Sequence, residues 1–166
     1  MMRNGIFLTM LLFVIMVVGC ALPSGKLGKP STVLKHYQFS ALDSLMLAEQ
    51  HPVAVFLHTD WCKYCENMEQ TTVQNKEVVE LLNSQYYFIP FDGEKKDDVT
   101  FRNHLFQYQP TGRNTGTHEL ATALGTMEGS LTYPTFLILN SDYEIVFQYN
   151  AFLTAEEMVR ILKSPS

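Results

Sequence analysis

The sequence predicts an α/β domain built on a mixed central sheet, and three observations carry that prediction. Residues 53–57 form a short, unbroken apolar run of strand type, and residues 86–91 read as a second buried strand. Stretches of helical periodicity flank both runs, so strand and helix alternate as they do in layered α/β folds. Further on, residues 134–139 and 144–149 are strand-like and separated only by Asn140-Ser141-Asp142, a turn short enough to require an antiparallel pair.

Each element has a local cause. Ser40 is placed to cap a first helix carrying Leu42, Leu45, Met46 and Leu47, which Pro52 stops. After the strand at 53–57, a helix is expected from Cys62 through Met68 to about Thr72. Asn75 then caps a second helical piece whose Val78, Val79, Leu81 and Leu82 face inward. Residues 99–101 and 106–108, on either side of Arg102-Asn103, read as a hairpin, and 110–116 as loop. Thr117 starts a short helix over 118–124, ended by Gly125. Thr154 and Glu157 have the spacing of a capping box for a last helix with Met158, Ile161 and Leu162 as its apolar stripe.

The 166 residues allow one ordinary domain, and 46% apolar content is enough for a core that needs no disulfide staples. The formal charge is −5, and no cluster of Lys and Arg offers a footprint for nucleic acid. The three cysteines divide into Cys20, at the end of an apolar leader, and the C-x-x-C pair Cys62 and Cys65.

The leader has Arg3 as its positive end and an apolar run of 13 residues, 6–18, interrupted only by Thr9. A membrane-spanning helix needs about 20 apolar residues, so the run suits a signal peptide over residues 1–19. Val17-Val18-Gly19-Cys20 resembles a bacterial lipobox. That resemblance implies cleavage before Cys20, acylation of its thiol, and anchoring to a lipid bilayer at about 0.8 kcal/mol per buried methylene. An uncleaved signal anchor and a plain secretory signal stand beside it, and both also export the domain. Residues 20–36, with Pro23, Gly25, Gly28 and Pro30, read as a tether, and 37–166 as the domain.

Trp61-Cys62-Lys63-Tyr64-Cys65 follows a predicted strand and opens a predicted helix. Unpaired backbone N–H groups and the macrodipole at a helix start favour an anion, which lowers the pKa of the Cys62 thiol, and Lys63 adds positive charge of the same sense. Cys65, three residues on, lies on the same helical turn. The arrangement makes Cys62 the nucleophile and Cys65 the resolving thiol. Zinc would need a second ligand pair, and the five histidines contain no suitably spaced one; no metal or cofactor is expected.

The stretch His58-Thr59-Asp60-Trp61-Cys62-Lys63-Tyr64-Cys65, followed some 70 residues later by Tyr133-Pro134-Thr135, resembles the thioredoxin superfamily over roughly residues 40–163. The resemblance implies a three-layer thioredoxin-like fold with a hairpin-containing insert, about 93–132, before a cis-proline strand. It makes Pro134 the cis residue and Tyr133 the residue whose backbone pairs with a substrate chain, with Trp61, Lys63 and Tyr64 as active-site support. Within the superfamily, the insert and the His118-Glu119-Leu120-Ala121 stretch look like exported lipoproteins of Gram-negative bacteria.

The chain departs from that pattern in one respect that touches mechanism. Thioredoxins bury an aspartate six residues before the first cysteine, with a lysine partner on the next strand; here Phe56 stands at the first position and Phe88 at about the second. No proton acceptor for Cys65 is evident, with His58, Glu66 and Glu69 the nearest in sequence, and water an alternative. The resulting expectation is an enzyme, a thiol–disulfide oxidoreductase and more specifically a reductase, of the bacterial cell envelope facing the periplasm. It would act as a monomer on disulfide-bearing envelope proteins and be recharged by a membrane-bound electron donor. Two alternatives remain open: a copper chaperone using Cys62, Cys65 and His58, and an interaction module that works through the insert. Phe101, Phe106 and Tyr108 are expected to pack the hairpin onto the domain, and Met68 to belong to the core.

Overall fold

The computed structural model describes residues 33–164; the predicted signal peptide, Cys20 and most of the predicted tether lie outside the described residues. A 3₁₀ turn, Phe39–Ala41, leads into α1, Leu42–Ala48. Ser40 therefore sits inside that turn and makes no cap, contrary to expectation, because the chain is already coiled one turn before the α-helix begins. Leu42 is fully buried, whereas Leu47 points outward and is 89% exposed.

Strand β1, Val53–His58, leads to α2, Lys63–Met68, which continues as one wider π-helical turn, Glu69–Val73. Helix α3, Lys76–Gln85, begins where the Asn75 side chain accepts from the N–H groups of Glu77 and Val78, which satisfies donors the helix cannot. Strand β2, Tyr87–Asp92, pairs in parallel with β1. The insert follows as two small hairpins. The first joins β3, Val99–Phe101, to β4, His104–Phe106, through Arg102 and Asn103, both with positive φ as a tight two-residue turn demands. The second joins β5, Tyr108–Pro110, to β6, Gly116–His118.

Two expectations are corrected here. The first hairpin's return strand is 104–106, not 106–108, because a two-residue turn sets the register. The segment 110–116 is also not all loop, because its two ends are paired. Gly116 permits that pairing, since any Cβ there would run into the Tyr108 ring and the Gln109 carbonyl. Helix α4, Glu119–Gly125, then leads through a two-residue ladder, β7 (Thr126–Met127) with β8 (Ser130–Leu131). Strands β9, Thr135–Leu139, and β10, Ile145–Tyr149, form the antiparallel pair, and α5, Ala155–Lys163, closes the chain with the Thr154/Glu157 capping box in place.

The central sheet has the order β10-β9-β1-β2, with β1 parallel to β2 and antiparallel to β9. Alternation along the strands divides the core in two. Ala54, Phe56, Phe88, Phe136 and Ile138 face a layer built from α2, α3 and α5, including Met68, Val78, Leu82 and Met158. Val53, Val55, Leu57, Ile89, Phe91 and Leu137 face Leu42, Leu120, Leu124 and Phe101 on the other side. With helices on both faces, β1 is apolar at every position of the run, which is why its sequence shows no alternation. The result is the expected three-layer α/β fold with a mixed sheet.

Candidate functional site

Strand β1 ends at His58, and the chain turns through Thr59, Asp60 and Trp61, closed by the Cys62 N–H donating to the Thr59 carbonyl at 3.1 Å. Cys62 is the N-cap of α2, with extended backbone angles, and its Sγ accepts from the Cys65 N–H at 3.1 Å. A sulfur thus occupies the place that an Asp or Ser oxygen usually fills at a helix start. Cys62 and Cys65 form a disulfide, with their Cα atoms 5.2 Å apart. Cys62 is 6% exposed and Cys65 2%, so Cys62 is the outer of the two. Beneath them, both cysteines share one buried cluster with Phe56, Met68 and Phe136.

The cysteines are flanked by exposed side chains: Trp61 is 63% and Tyr64 71% exposed, and Lys63 also faces solvent. Across from them the Tyr133–Pro134 peptide bond is cis, and the Thr135 hydroxyl fixes that loop by donating to the Thr132 carbonyl at 2.7 Å. The Tyr133 and Trp61 rings make a T-shaped contact, with centroids 6.0 Å apart at 82°. Its hydroxyl is buried without a hydrogen-bond partner among the described residues, and burial, with Glu94 and Asp92 nearby, pushes the phenol up to about 12.

Sequence reasoning missed two residues here. The Trp61 indole N–H donates to Glu94 Oε1 at 3.0 Å, and Gly93 lies directly against the Tyr133 phenol, where any Cβ would overlap its ring and oxygen. The Gly93 N–H donates to the His58 carbonyl and its carbonyl accepts from the His118 N–H, both at 2.8 Å. The sequence signal was slight: Asp92-Gly93-Glu94 directly follows an apolar run, but its partners lie 33 residues upstream and 40 downstream.

The residues considered as proton acceptors are placed differently from one another. His58 is half-buried and stacks on Phe56, with centroids 5.6 Å apart at 24°, while Glu66 and Glu69 face solvent from the outer side of α2 and its extension. Phe56 is fully buried, as its position in the run suggests. On β2 its direct partner in the register is Pro90, and Phe88, opposite Ala54, lies two positions away on the same face and in the same buried cluster as Phe56. Met68 is core. Phe101 is buried against Phe39 and Tyr143, so the first hairpin packs down through its aromatic residue. Among the described residues no group of three or more His, Cys, Asp and Glu side chains could hold a metal ion, and no helix is long and apolar enough to cross a membrane. A cleft of about 580 Å³ opens beside the carboxyl ends of β1 and β2, between His36, Phe39, His58, Asp92 and Lys95; neither cysteine lines it.

The family model described as a thioredoxin-like domain matches residues 40–164. Among solved structures, an oxidoreductase named DsbH is similar at 16% identity and a TM-score of 0.57, covering 81% of this chain and 85% of its own. A thioredoxin from Thermus thermophilus is similar at 20% identity and a TM-score of 0.55, covering 78% of this chain and 85% of its own. The oxidised DsbD C-terminal domain of Neisseria meningitidis is similar at 18% identity and a TM-score of 0.50, covering 74% and 88%. At these identities the likeness is one of fold. No curated protein sequence matches the chain.

Proposed function

The chain belongs to the family of thioredoxin-like domains, and from that premise we propose that it is a thiol–disulfide oxidoreductase that reduces disulfides of cell-envelope proteins. The observation that carries the reading is the placement of Cys62: a sulfur at the start of α2, receiving the Cys65 N–H and bonded to the Cys65 sulfur one turn in. In the reduced protein the same N–H and the positive end of the helix favour the Cys62 thiolate, and Lys63 adds to that field.

The reaction then balances without a cofactor. The Cys62 thiolate attacks one sulfur of the partner's disulfide, forming a mixed disulfide and releasing the other sulfur as a thiolate. Cys65 loses its proton and attacks Cys62 Sγ; the Cys62–Cys65 disulfide forms and the partner's second thiolate leaves. Two electrons pass to the partner, and a membrane-bound dithiol donor restores the pair. The Tyr133 backbone beside cis Pro134 would receive the partner's extended chain, with Trp61, Lys63 and Tyr64 around the sulfurs. Cleavage of residues 1–19, acylation of Cys20 and a tether over 20–36 would hold the domain at a membrane facing the periplasm.

Insulin reduction tests the activity. Cys62→Ser and Cys65→Ser should both abolish it, and only Cys65→Ser should accumulate covalent mixed disulfides with partners; undiminished activity in either variant would refute the scheme. A potential of the Cys62–Cys65 couple near about −270 mV would support a reductant, and one near about −120 mV would make the protein an oxidant.

A further inference from the structure

Trp61 is unusual for an exposed aromatic because it is tied down on two sides. Its indole N–H is held by Glu94 at 3.0 Å and its ring makes a T-shaped contact with Tyr133. Tyr64, even more exposed on the other side of Cys62, makes no hydrogen bond or ring contact of this kind among the described residues. Glu94 is itself fixed: its N–H donates to Asp92 Oδ1 at 2.9 Å, and the preceding Gly93 is bonded to His58 and His118. The order imposed on Trp61 thus runs back to the ends of β1 and β2.

Two contacts spent on a side chain that stays 63% exposed add little to the core. What they do is remove rotamer freedom from a large aromatic next to the reactive sulfur. A rigid exposed aromatic binds a partner with less entropy loss than a mobile one, which is why such residues dominate interfaces. We propose that Glu94 is a positioning residue: backed by the Tyr133 ring, it holds Trp61 as a fixed wall beside Cys62 on which a protein partner's chain is laid. It therefore governs how tightly protein disulfides bind and leaves the sulfur exchange itself unchanged. The inference rests on the oxidoreductase reading and gives an advantage in binding to disulfides carried on a polypeptide long enough to reach the indole.

Trp61 is the only tryptophan, so its fluorescence reports this residue alone. In the full chain, Glu94→Ala should free the indole, seen as faster local depolarisation and about twofold stronger acrylamide quenching; Glu94→Gln, whose amide oxygen still accepts, should stay close to wild type. With insulin, Glu94→Ala should raise KM about fivefold, the worth of one ordinary hydrogen bond, with kcat unchanged. Hydroxyethyl disulfide, too small to reach Trp61, should react at the wild-type rate, and Glu94→Gln should restore the insulin KM. An unchanged insulin KM in Glu94→Ala, an equal loss on the small disulfide, or failure of Glu94→Gln to rescue would each overturn the role of Glu94 while leaving the oxidoreductase reading intact. A wild-type protein inert toward both disulfides would overturn that reading and the docking role together.

Discussion

Substituting Gly93 by alanine tests how the insert is joined to the site. The backbone of Gly93 is held on both sides, by the His58 carbonyl and the His118 N–H at 2.8 Å each, so it cannot retreat from an added methyl group. That methyl would lie on Tyr133 Cε1, Cζ and Oη, inside any tolerable contact, so the tyrosine ring must move. Forcing a side chain off its packed position costs about 1–3 kcal/mol. The lower entropy of the unfolded alanine chain returns about 0.4–1 kcal/mol, since Gly93 does not need a positive φ. A net loss of about 1–2 kcal/mol follows, or a fall in Tm of about 3–8 °C for a domain of this size. Urea denaturation of a double-mutant cycle isolates the cause. In a Tyr133→Ala background, where the obstructing ring is gone, Gly93→Ala should be neutral or slightly stabilising, giving a coupling of at least about 1 kcal/mol. Additive effects of the two substitutions would show that the close approach of Gly93 to Tyr133 does not govern stability, and the argument would fall.

Acid should weaken the fold through His118. Its ring is fully buried, with Nδ1 accepting from the Leu120 N–H at 3.1 Å and Nε2 facing the Asp97 carbonyl at 3.2 Å, and burial pushes its pKa below the ordinary value. The unfolded chain then binds the proton first, so stability is lost as pH falls from about 6.5 through the folded pKa. Urea midpoints from pH 7.5 to 5 should fall less steeply in His118→Asn, which can still cap α4 but does not titrate; equal slopes would clear His118. At α5, Thr154→Ala removes both the bond to the Glu157 N–H and the hydroxyl partner of the Glu157 carboxylate, and should lower stability by about 1 kcal/mol in the same assay. A loss below about 0.3 kcal/mol would mean the capping box contributes nothing beyond what water supplies.

The parts of the fold that were legible in the sequence are those with a local cause. The apolar run at 53–57, the Asn75 cap, the Thr154/Glu157 pair and the C-x-x-C at a helix start each announce themselves within a few residues. Ser40 misled because a 3₁₀ turn ahead of α1 takes up the position a cap would hold, and no periodicity distinguishes the two. The second hairpin was hidden because Pro110 and Gly116 both read as breakers. Pro110 closes β5, and Gly116 is required by the nearness of the Tyr108 ring. Glu119 was read only as part of a helix. In the structure its carboxylate accepts from the Gln107 N–H and the Gln109 amide, tying the second hairpin and the residue that joins it to the first to α4, and the Gln107 bond holds its pKa below the usual range. Glu94 and Gly93 could not be found from local pattern, since the side chains that give them their place in the site, Trp61 and Tyr133, are remote in sequence.

The replacement of a buried acid by Phe56 also bears on the chemistry, and the structure shows how far. Among the described residues the buried polar or charged side chains are Thr59, Thr72, His118 and Thr135, and the only imidazole among them, His118, packs on Phe91, on the face of the sheet away from the cysteines. No buried carboxylate lies in the cluster that holds Cys65, and Pro90, which stands opposite Phe56, offers no charge to pair with one. A carboxylate there would need such a partner or would take up a proton itself. With an apolar floor instead, the proton of Cys65 has to leave on the solvent side. The partner's thiolate released in the first exchange is a base generated on that side and can take up that proton. The proton inventory of the proposed reduction therefore closes without any side chain in the place where thioredoxins keep an aspartate.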